Sequence, residues 1–153
     1  MSTELITSAL DTPLFHLDLK HRRRENALTD LAAFAHARGL VRDPERLHDA
    51  LLRRERVVSF AVGRGVAIPH LRSLVVSAPH VLIARAKKGI DWKAPGGQPV
   101  TLVIAVLAPH DHPLESFLER VEHAAEATRL VKRRLRLMSD DPAVRLAAWR
   151  EGA

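Results

Sequence analysis

A nearly continuous apolar segment, VTLVIAVLAP at residues 100–109, constrains the fold more than any other part of the chain. A run of this length without polar alternation is typical of a strand that is buried on both faces. Such a strand needs a covering layer above and below it. The segment therefore predicts a central strand in a sheet that has helices on each side.

The rest of the chain supplies those layers. Residues 13–19 alternate apolar and polar side chains, as a strand does, whereas residues 21–40 place apolar side chains at helical spacing and end near Gly39, a plausible C-terminal cap. Asp43 and Asp141, each followed by proline, are typical helix N-caps. The pattern predicts an α/β sandwich in which helices cover a mixed sheet. The remaining predicted elements are strand-like segments at 57–70 and 80–86, a turn-rich segment around 95–97, and helices from Pro113 and at about 127–138.

Composition places the chain among soluble globular proteins. Its 153 residues are 46% hydrophobic and 27% charged, which fits one domain over residues 1–153. The absence of cysteine excludes disulfides and thiolate chemistry. The N-terminus lacks the pattern of a signal peptide, and no apolar run approaches the length of a membrane span. We therefore expect a cytoplasmic protein.

The net charge of +6 raises the question of an acidic partner or nucleic acid. The basic residues are spread out, however, and aromatic residues make up only 4% with no tyrosine, so platforms for base stacking are scarce. The charge pattern favours solvated helix faces over a nucleic-acid interface. The clearest basic clusters are at 21–24, 53–56 and 132–136.

Most of the nine histidines have structural or surface interpretations. His110 and His112 form PHDHP after the central strand, but a His-x-His pair without further ligands is weak evidence of a metal site, and we predict no metal. His70 differs, because Pro69 favours an extended backbone before it, while Gly63 and Gly65 allow unusual dihedral angles or close approach. Either a buried strand simply ends in a turn there, or the strand end presents an imidazole that handles phosphate beside nearby arginines.

The segment RRERVVSFAVGRGVAIPH resembles the signature of the enzyme IIA domains of the bacterial phosphoenolpyruvate-dependent phosphotransferase system, fructose/mannitol class, which includes the nitrogen-regulatory IIA proteins. That signature has an RE pair, a short spacer and T-G-I-G-N-G-I-A-I-P-H. Arg54 and Glu55 match the pair, and the run from Gly63 to His70 matches the end, with Pro69 before the histidine. GIDWKAPGGQPVTLVIAVLAP and the helices around it extend the resemblance over nearly the whole chain.

The resemblance implies a fold with a mixed sheet of about five strands between helices. It implies that His70 accepts a phosphoryl group from the phosphohistidine carrier protein HPr or its nitrogen-branch paralogue, with Arg54 stabilising the phosphate and no metal or cofactor. Gly63, Arg64, Gly65 and Pro69 would support the phosphate site. The group then passes to a IIB protein or reports phosphorylation state to a regulated partner.

Three departures accompany the match. Phe60-Ala61 replaces T-G, and Arg64 replaces the usual asparagine. Ser116 or Phe117 occupies the position of a second histidine, and His112 and His110 are the candidate substitutes for it. Because the chain stands alone and lacks cysteine, the nitrogen-regulatory role is favoured. The alternatives are a sugar-transport component that passes phosphate to a separate IIB, a transfer-inactive IIA-like binding module, and a nucleic-acid binder.

Overall fold

The computed structural model of the protein describes residues 12–152, so the expected absence of a signal peptide concerns a segment outside the described residues. One six-stranded sheet lies between two layers of helices. The strands are β1 (Leu14–Asp18), β2 (Ala61–Gly63), β3 (Val66–Ala67), β4 (His70–Ser73), β5 (His80–Ile90) and β6 (Val100–Pro109). The helices are α1 (Arg24–Ala37), α2 (Pro44–Val57), α3 (Leu114–Ala127), α4 (Val131–Leu137) and α5 (Pro142–Arg150), with a short 3-10 turn at Pro95–Gly97.

Strand β6 is the centre of the sheet, as its sequence predicts. The strand order is β1-β5-β6-β3-β2, and β4 also pairs with β6. β6 runs antiparallel to β5 and parallel to β3 and β4. Its residues from Leu102 to Ala108 are buried and alternate between two cores. The predicted α/β class with a mixed sheet is confirmed, with six strands where about five were expected.

Two apolar cores hold the helices against the sheet. On one face, Leu31 of α1 and Leu51 of α2 pack with Val103 of β6. On the other, Phe117 of α3 and Trp149 of α5 pack with Ile104 of the same strand. None of the helices within residues 12–152 has both the length and the apolar character needed to cross a bilayer.

Strands β3 and β4 follow β6 in one continuous register. Val66 pairs with Leu102 and His70 pairs with Val106, so the two strands are one strand interrupted at Ile68 and Pro69. Proline has no N–H to donate to the ladder, although the Pro69 carbonyl accepts a hydrogen bond from the amide of Val106 at 2.9 Å. The expectation that the strand ends at His70 is therefore wrong, because His70 begins β4.

The helix starts agree with the capping pattern, whereas two boundaries do not. The Asp43 side chain accepts a hydrogen bond from the amide of Arg46, and Asp141 accepts one from the amide of Ala143. Helix α4 covers only residues 131–137 of the predicted 127–138, because the chain turns after Thr128. Strand β5 continues beyond the predicted residue 86 to Ile90.

Candidate functional site

The imidazole of His70 is held in one tautomer by its own backbone. Its Nδ1 lies 2.8 Å from the carbonyl oxygen of Ile68. A carbonyl oxygen can only accept, so in the neutral ring Nδ1 carries the hydrogen and Nε2 carries the lone pair. Nε2 makes no hydrogen bond within residues 12–152 and, unlike Nε2 of His80, is not a buried unpaired atom. The half-buried ring therefore offers Nε2 as a nucleophile.

Two phenylalanine rings contact His70. The centroid of Phe60 lies 5.5 Å from that of His70 in an edge-to-face arrangement, and the centroid of Phe117 lies at 6.3 Å with a tilted ring. The structure thus identifies Phe117, rather than Ser116, as the residue on α3 that faces His70. Among the described residues these are the aromatic contacts of His70, and no second histidine ring is one of them.

A buried carboxylate positions Phe60. Glu55, near the end of α2, accepts hydrogen bonds from the backbone amide of Phe60 and from the hydroxyl of Ser59, both at 2.8 Å. Arg24 of α1 lies 3.6 Å from the same carboxylate. The sequence identifies Glu55 only as half of the RE pair. Its role as a buried acceptor escaped prediction, because a single carboxylate beside three arginines looks like a surface residue.

The guanidinium of Arg54 is available to bind an anion. It is exposed in the last turn of α2, and its guanidinium makes no hydrogen bond or ion pair within residues 12–152. Helix α2 packs against β4, the strand that begins with His70. The structure therefore leaves the cationic head of Arg54 unengaged on the helix that lies beside this strand.

Arg72 is one of the arginines that the sequence places near His70. It lies two residues after His70 on β4, so both side chains leave the same face of the strand. Its Nη1 donates to the carbonyl of His112 at 2.9 Å and so ties the loop after β6 to β4. The two-residue spacing from His70 was the available signal for its location.

His110 and His112, the candidate substitutes for a second histidine, lie in the loop that Arg72 anchors. His110 is exposed, whereas His112 is buried and its Nε2 has no hydrogen-bond partner in the described chain. Burial lowers the pKa of His112, the charge of Arg72 lowers it further, and Asp111 opposes both. Neither ring is in contact with the ring of His70. Within residues 12–152, no cluster of three or more His, Asp or Glu side chains has a metal-binding arrangement.

Gly63 ends β2, and Arg64 and Gly65 form the turn to β3; the three φ angles are 89°, 58° and 76°. Gly65 also allows close strand contact, since a Cβ there would lie 3.2 Å from the Pro99 carbonyl oxygen. Val66, the next residue, pairs with Leu102, whereas His70 pairs with Val106. These two partners are four residues apart on β6, a distance of about 13 Å along the strand. The structure does not bring these three residues to the His70 ring, whereas the buried Pro69 directly precedes it.

Comparison with known proteins agrees with this architecture. The family described as "Phosphoenolpyruvate-dependent sugar phosphotransferase system, EIIA 2" matches residues 8–134. The chain belongs to this EIIA 2 family. The fructose-like EIIA component of Escherichia coli is 35% identical over 102 residues, 67% of this chain and 69% of its own length. A nitrogen regulatory protein of Bradyrhizobium diazoefficiens is 40% identical over 91 residues, 60% of this chain and 59% of its own.

Solved EIIA structures share the fold. The nitrogen regulatory protein IIA-Ntr of Neisseria meningitidis superposes with a TM-score of 0.79 at 24% identity, covering 95% of this chain and 99% of that one. The IIA mannitol protein in a complex with phosphorylated IIB from E. coli gives 0.72 at 18% identity, covering 91% and 94%. The chain spans only 16% of the fructose-specific EIIABC component of Bacillus subtilis, to which it is 30% identical over 103 residues, 67% of this chain. The EIIA 2 family thus includes relatives named for sugars and relatives named for nitrogen regulation.

Proposed function

We propose that this EIIA 2 protein is a phosphoryl carrier that accepts its group on Nε2 of His70. The observation that carries the proposal is the hydrogen bond from Nδ1 to the Ile68 carbonyl, which leaves Nε2 unpaired with its lone pair free. The donor is the phosphohistidine of a small carrier protein, HPr or its nitrogen-branch paralogue. The position of His70 after Ala67-Ile68-Pro69 and the EIIA 2 family match support this assignment.

The transfer conserves atoms and charge without an added base. The lone pair of Nε2 forms the new bond to phosphorus while the bond from phosphorus to the donor nitrogen breaks, and its electron pair leaves with the donor imidazole. His70 becomes an imidazolium whose Nδ1–H still donates to the Ile68 carbonyl. The donor ring, protonated on its other nitrogen beforehand, departs neutral. Arg54 contributes positive charge to the phosphoryl oxygens.

The proposed role is regulatory rather than transport-related. It is supported by the similarity to the Bradyrhizobium nitrogen regulatory protein. The alternative is a sugar-transport component that passes phosphate from His70 to a separate IIB protein. Incubating the phosphorylated chain with purified IIB proteins separates the two, because rapid loss of phosphate to a IIB cysteine supports transport.

The central test is phosphorylation with phosphoenolpyruvate, enzyme I and each carrier protein. We expect an acid-labile phosphate on the wild-type chain that is absent from His70→Gln. The matched control is His110→Gln, which alters an exposed histidine in the loop after β6 and should retain labelling. A folded wild-type chain that no carrier phosphorylates, or labelling that persists in His70→Gln, contradicts the proposal.

Phe117 favours a second candidate, a binding module that has kept the fold and lost the transfer. An aromatic ring lies against His70 where a second histidine would offer a hydrogen bond to the phosphoryl group. For this candidate, protein partners should bind wild type and His70→Ala equally. Partners that distinguish His70→Asp from the wild-type chain would instead support control by phosphorylation.

A further inference from the structure

A small cavity of about 160 Å³ lies between the β2–β3 turn and helix α4. Its polar lining comes from Arg64, Thr101 and Arg134, and its apolar lining includes Val131, Leu135 and Met138. Within residues 12–152, no acidic side chain lines it. We propose that this cavity binds a small organic acid, whose carboxylate meets the guanidinium of Arg64 and whose short apolar chain covers the exposed side chains of α4.

The backbone presents Arg64 at a conformational cost. Its φ angle of 58° lies in the left-handed region, which an arginine rarely adopts, and the glycines on both sides are left-handed too. A two-residue hairpin turn between antiparallel strands requires a positive φ at both central positions, so the turn itself fixes Arg64 in this conformation. The exposed guanidinium of Arg64 makes no ion pair or hydrogen bond within residues 12–152. The turn therefore places an uncompensated positive charge in the lining of the cavity.

A second cation is fixed in the same lining. Arg134 donates through Nη1 to the carbonyl oxygens of Thr128 at 2.8 Å and Arg129 at 2.9 Å, so its side chain is anchored to the end of α3. Carbonyl partners leave the guanidinium charge without a counter-ion. Arg64 lines the same cavity and no carboxylate from the described part of the chain does, so the cavity favours an anion.

The apolar side of the cavity shows why the anion should carry a hydrocarbon group. Val131 is 58% exposed and Leu135 is 65% exposed, and a spacing of four residues puts them on the same face of α4. The neighbouring Leu130 is 64% exposed. Exposed large apolar side chains that adjoin one another mark binding surfaces more often than isolated ones do. A bare inorganic ion would leave this surface uncovered.

The size of the cavity limits the ligand. Its volume equals the share of about five water molecules at about 30 Å³ each. A carboxylic acid with about five to seven non-hydrogen atoms fits, and isovalerate is a suitable probe. This cavity lies beside Leu102, at the opposite end of β6 from the partner of His70, and shares no residue with the phosphoryl site. The proposal therefore stands independently of phosphoryl transfer.

Binding is tested by titrating the ¹⁵N-labelled full chain with isovalerate and following its amide resonances. We expect saturable shifts at Gly65, Thr101 and Leu135 with a dissociation constant in the millimolar range, as suits so small a ligand. Isovaleramide, which lacks the charge, and acetate, which lacks the apolar chain, should each bind at least about tenfold more weakly. Equal responses to all three compounds, or shifts that are confined to other regions, would overturn the proposal.

Substitutions of Arg64 test whether its positive charge binds the carboxylate of the ligand. Arg64→Gln should weaken isovalerate binding at least about tenfold, whereas Arg64→Lys, which keeps a cation, should bind within about threefold of wild type. Arg53→Gln is the matched control, since it removes an exposed arginine of α2 that does not line the cavity and should leave binding unchanged. An unchanged remainder of the amide spectrum verifies folding of each variant. Wild-type affinity in Arg64→Gln contradicts the assignment.

Discussion

The ring of His70 is oriented by one backbone hydrogen bond and by two phenylalanine rings, so its polar contacts are few. Phe60 and Phe117 present only aromatic carbon and hydrogen atoms to this site, whereas a phosphoryl group needs hydrogen-bond donors. In the proposed transfer, Arg54 is left as the principal source of positive charge.

Replacing Phe117 with histidine should accelerate phosphorylation of His70. The new imidazole places an N–H donor beside the ring, where a charge-assisted hydrogen bond can stabilise the transferring group, and the expected gain is about tenfold. Rates of labelling with limiting carrier measure the effect. Phe117→Leu, which removes the aromatic ring without adding a donor, is the control. A folded Phe117→His that is no faster than Phe117→Leu would show that α3 does not reach the phosphoryl group.

Two buried histidines should make the protein acid-sensitive. Burial lowers the pKa of His80, and burial aided by Arg72 lowers that of His112, from an ordinary value of 6.5. As the pH falls below 6.5, the unfolded chain binds protons that the folded chain does not. Stability is therefore lost with acidification, by up to about 1.4 kcal/mol per pH unit for each such histidine, until the lowered folded pKa is reached.

Urea unfolding at several pH values between 8 and 5 checks this effect. His80→Asn keeps a donor near the position of Nδ1, which lies 2.8 Å from the Ala78 carbonyl, but cannot titrate. Its free energy of unfolding should fall less steeply below pH 6.5 than that of the wild-type chain. Identical slopes in the two proteins would mean that His80 is protonated in the folded state without penalty.

At the scale of elements, Glu55 links the end of α2 to the strand that follows. Glu55→Gln removes the charge and replaces one acceptor oxygen with a donor, so the Phe60 amide or the Ser59 hydroxyl loses its partner. We expect a loss of about 2 kcal/mol in the free energy of unfolding and slower labelling of His70, because the Phe60 ring is no longer held against it. Glu45→Gln, at the exposed start of α2, should change neither quantity appreciably. Wild-type labelling by Glu55→Gln would show that Phe60 needs no anchor.

A buried guanidinium joins three other elements. Arg145 of α5 donates to the carbonyls of Leu137, Phe15 and Ile83, and thereby connects α4, β1 and β5. Burial lowers its pKa to about 10, so it remains charged at neutral pH. Arg145→Met should leave buried carbonyls unpaired and cost about 3 kcal/mol of unfolding free energy, or more.

The matched control for that substitution is Arg129→Met, which removes an exposed arginine whose ion pair with Glu126 spans 3.7 Å. Exposed pairs of this kind contribute less than about 1 kcal/mol. Denaturant midpoints for the two variants should therefore differ clearly. Similar midpoints would mean that the three carbonyls find other donors when Arg145 is lost.

The elements also show what sequence alone reveals. β6 has the predicted bounds, because a run of ten residues without polar alternation is a strong local signal. The starts at Asp43 and Asp141 follow from side-chain capping, which is local too. The continuation of the strand beyond His70 was missed, because it depends on pairing with a segment 36 residues away. The extension of β5 through Lys87 and Lys88 depends in the same way on neighbours that are distant in sequence.

At the scale of the whole molecule, the candidate site was predictable in part. The identity of His70 and the presence of an aromatic or serine on α3 could be read from the motif. That Phe117 points at His70, and that Gly63, Arg64 and Gly65 lie at the far end of β6, required the sheet register. Residues that are close together in the motif are separated in space, because the chain reverses direction at the β2–β3 turn.

The two ends of β6 therefore carry different chemistry. The phosphoryl site proposed at His70 lies beside its carboxyl end, and the cationic cavity lies beside its start. No side chain belongs to both. Because the two sites share no side chain, they can be altered by mutation separately.

The central strand is also among the last parts of the sheet to be synthesised. β1, β3 and β4 reach one another only through β5 and β6, so a ribosome must deliver residue 109 before the sheet can close. Until then α1 and α2 can pack on each other, but they lack the β6 residues of the core that they share. Ribosome-arrested nascent chains should gain protease resistance only once Pro109 has left the exit tunnel. Resistance in shorter chains would show that the helical pair folds early. If resistance does appear only then, chaperones or rapid translation must protect the exposed apolar surface during about two thirds of synthesis.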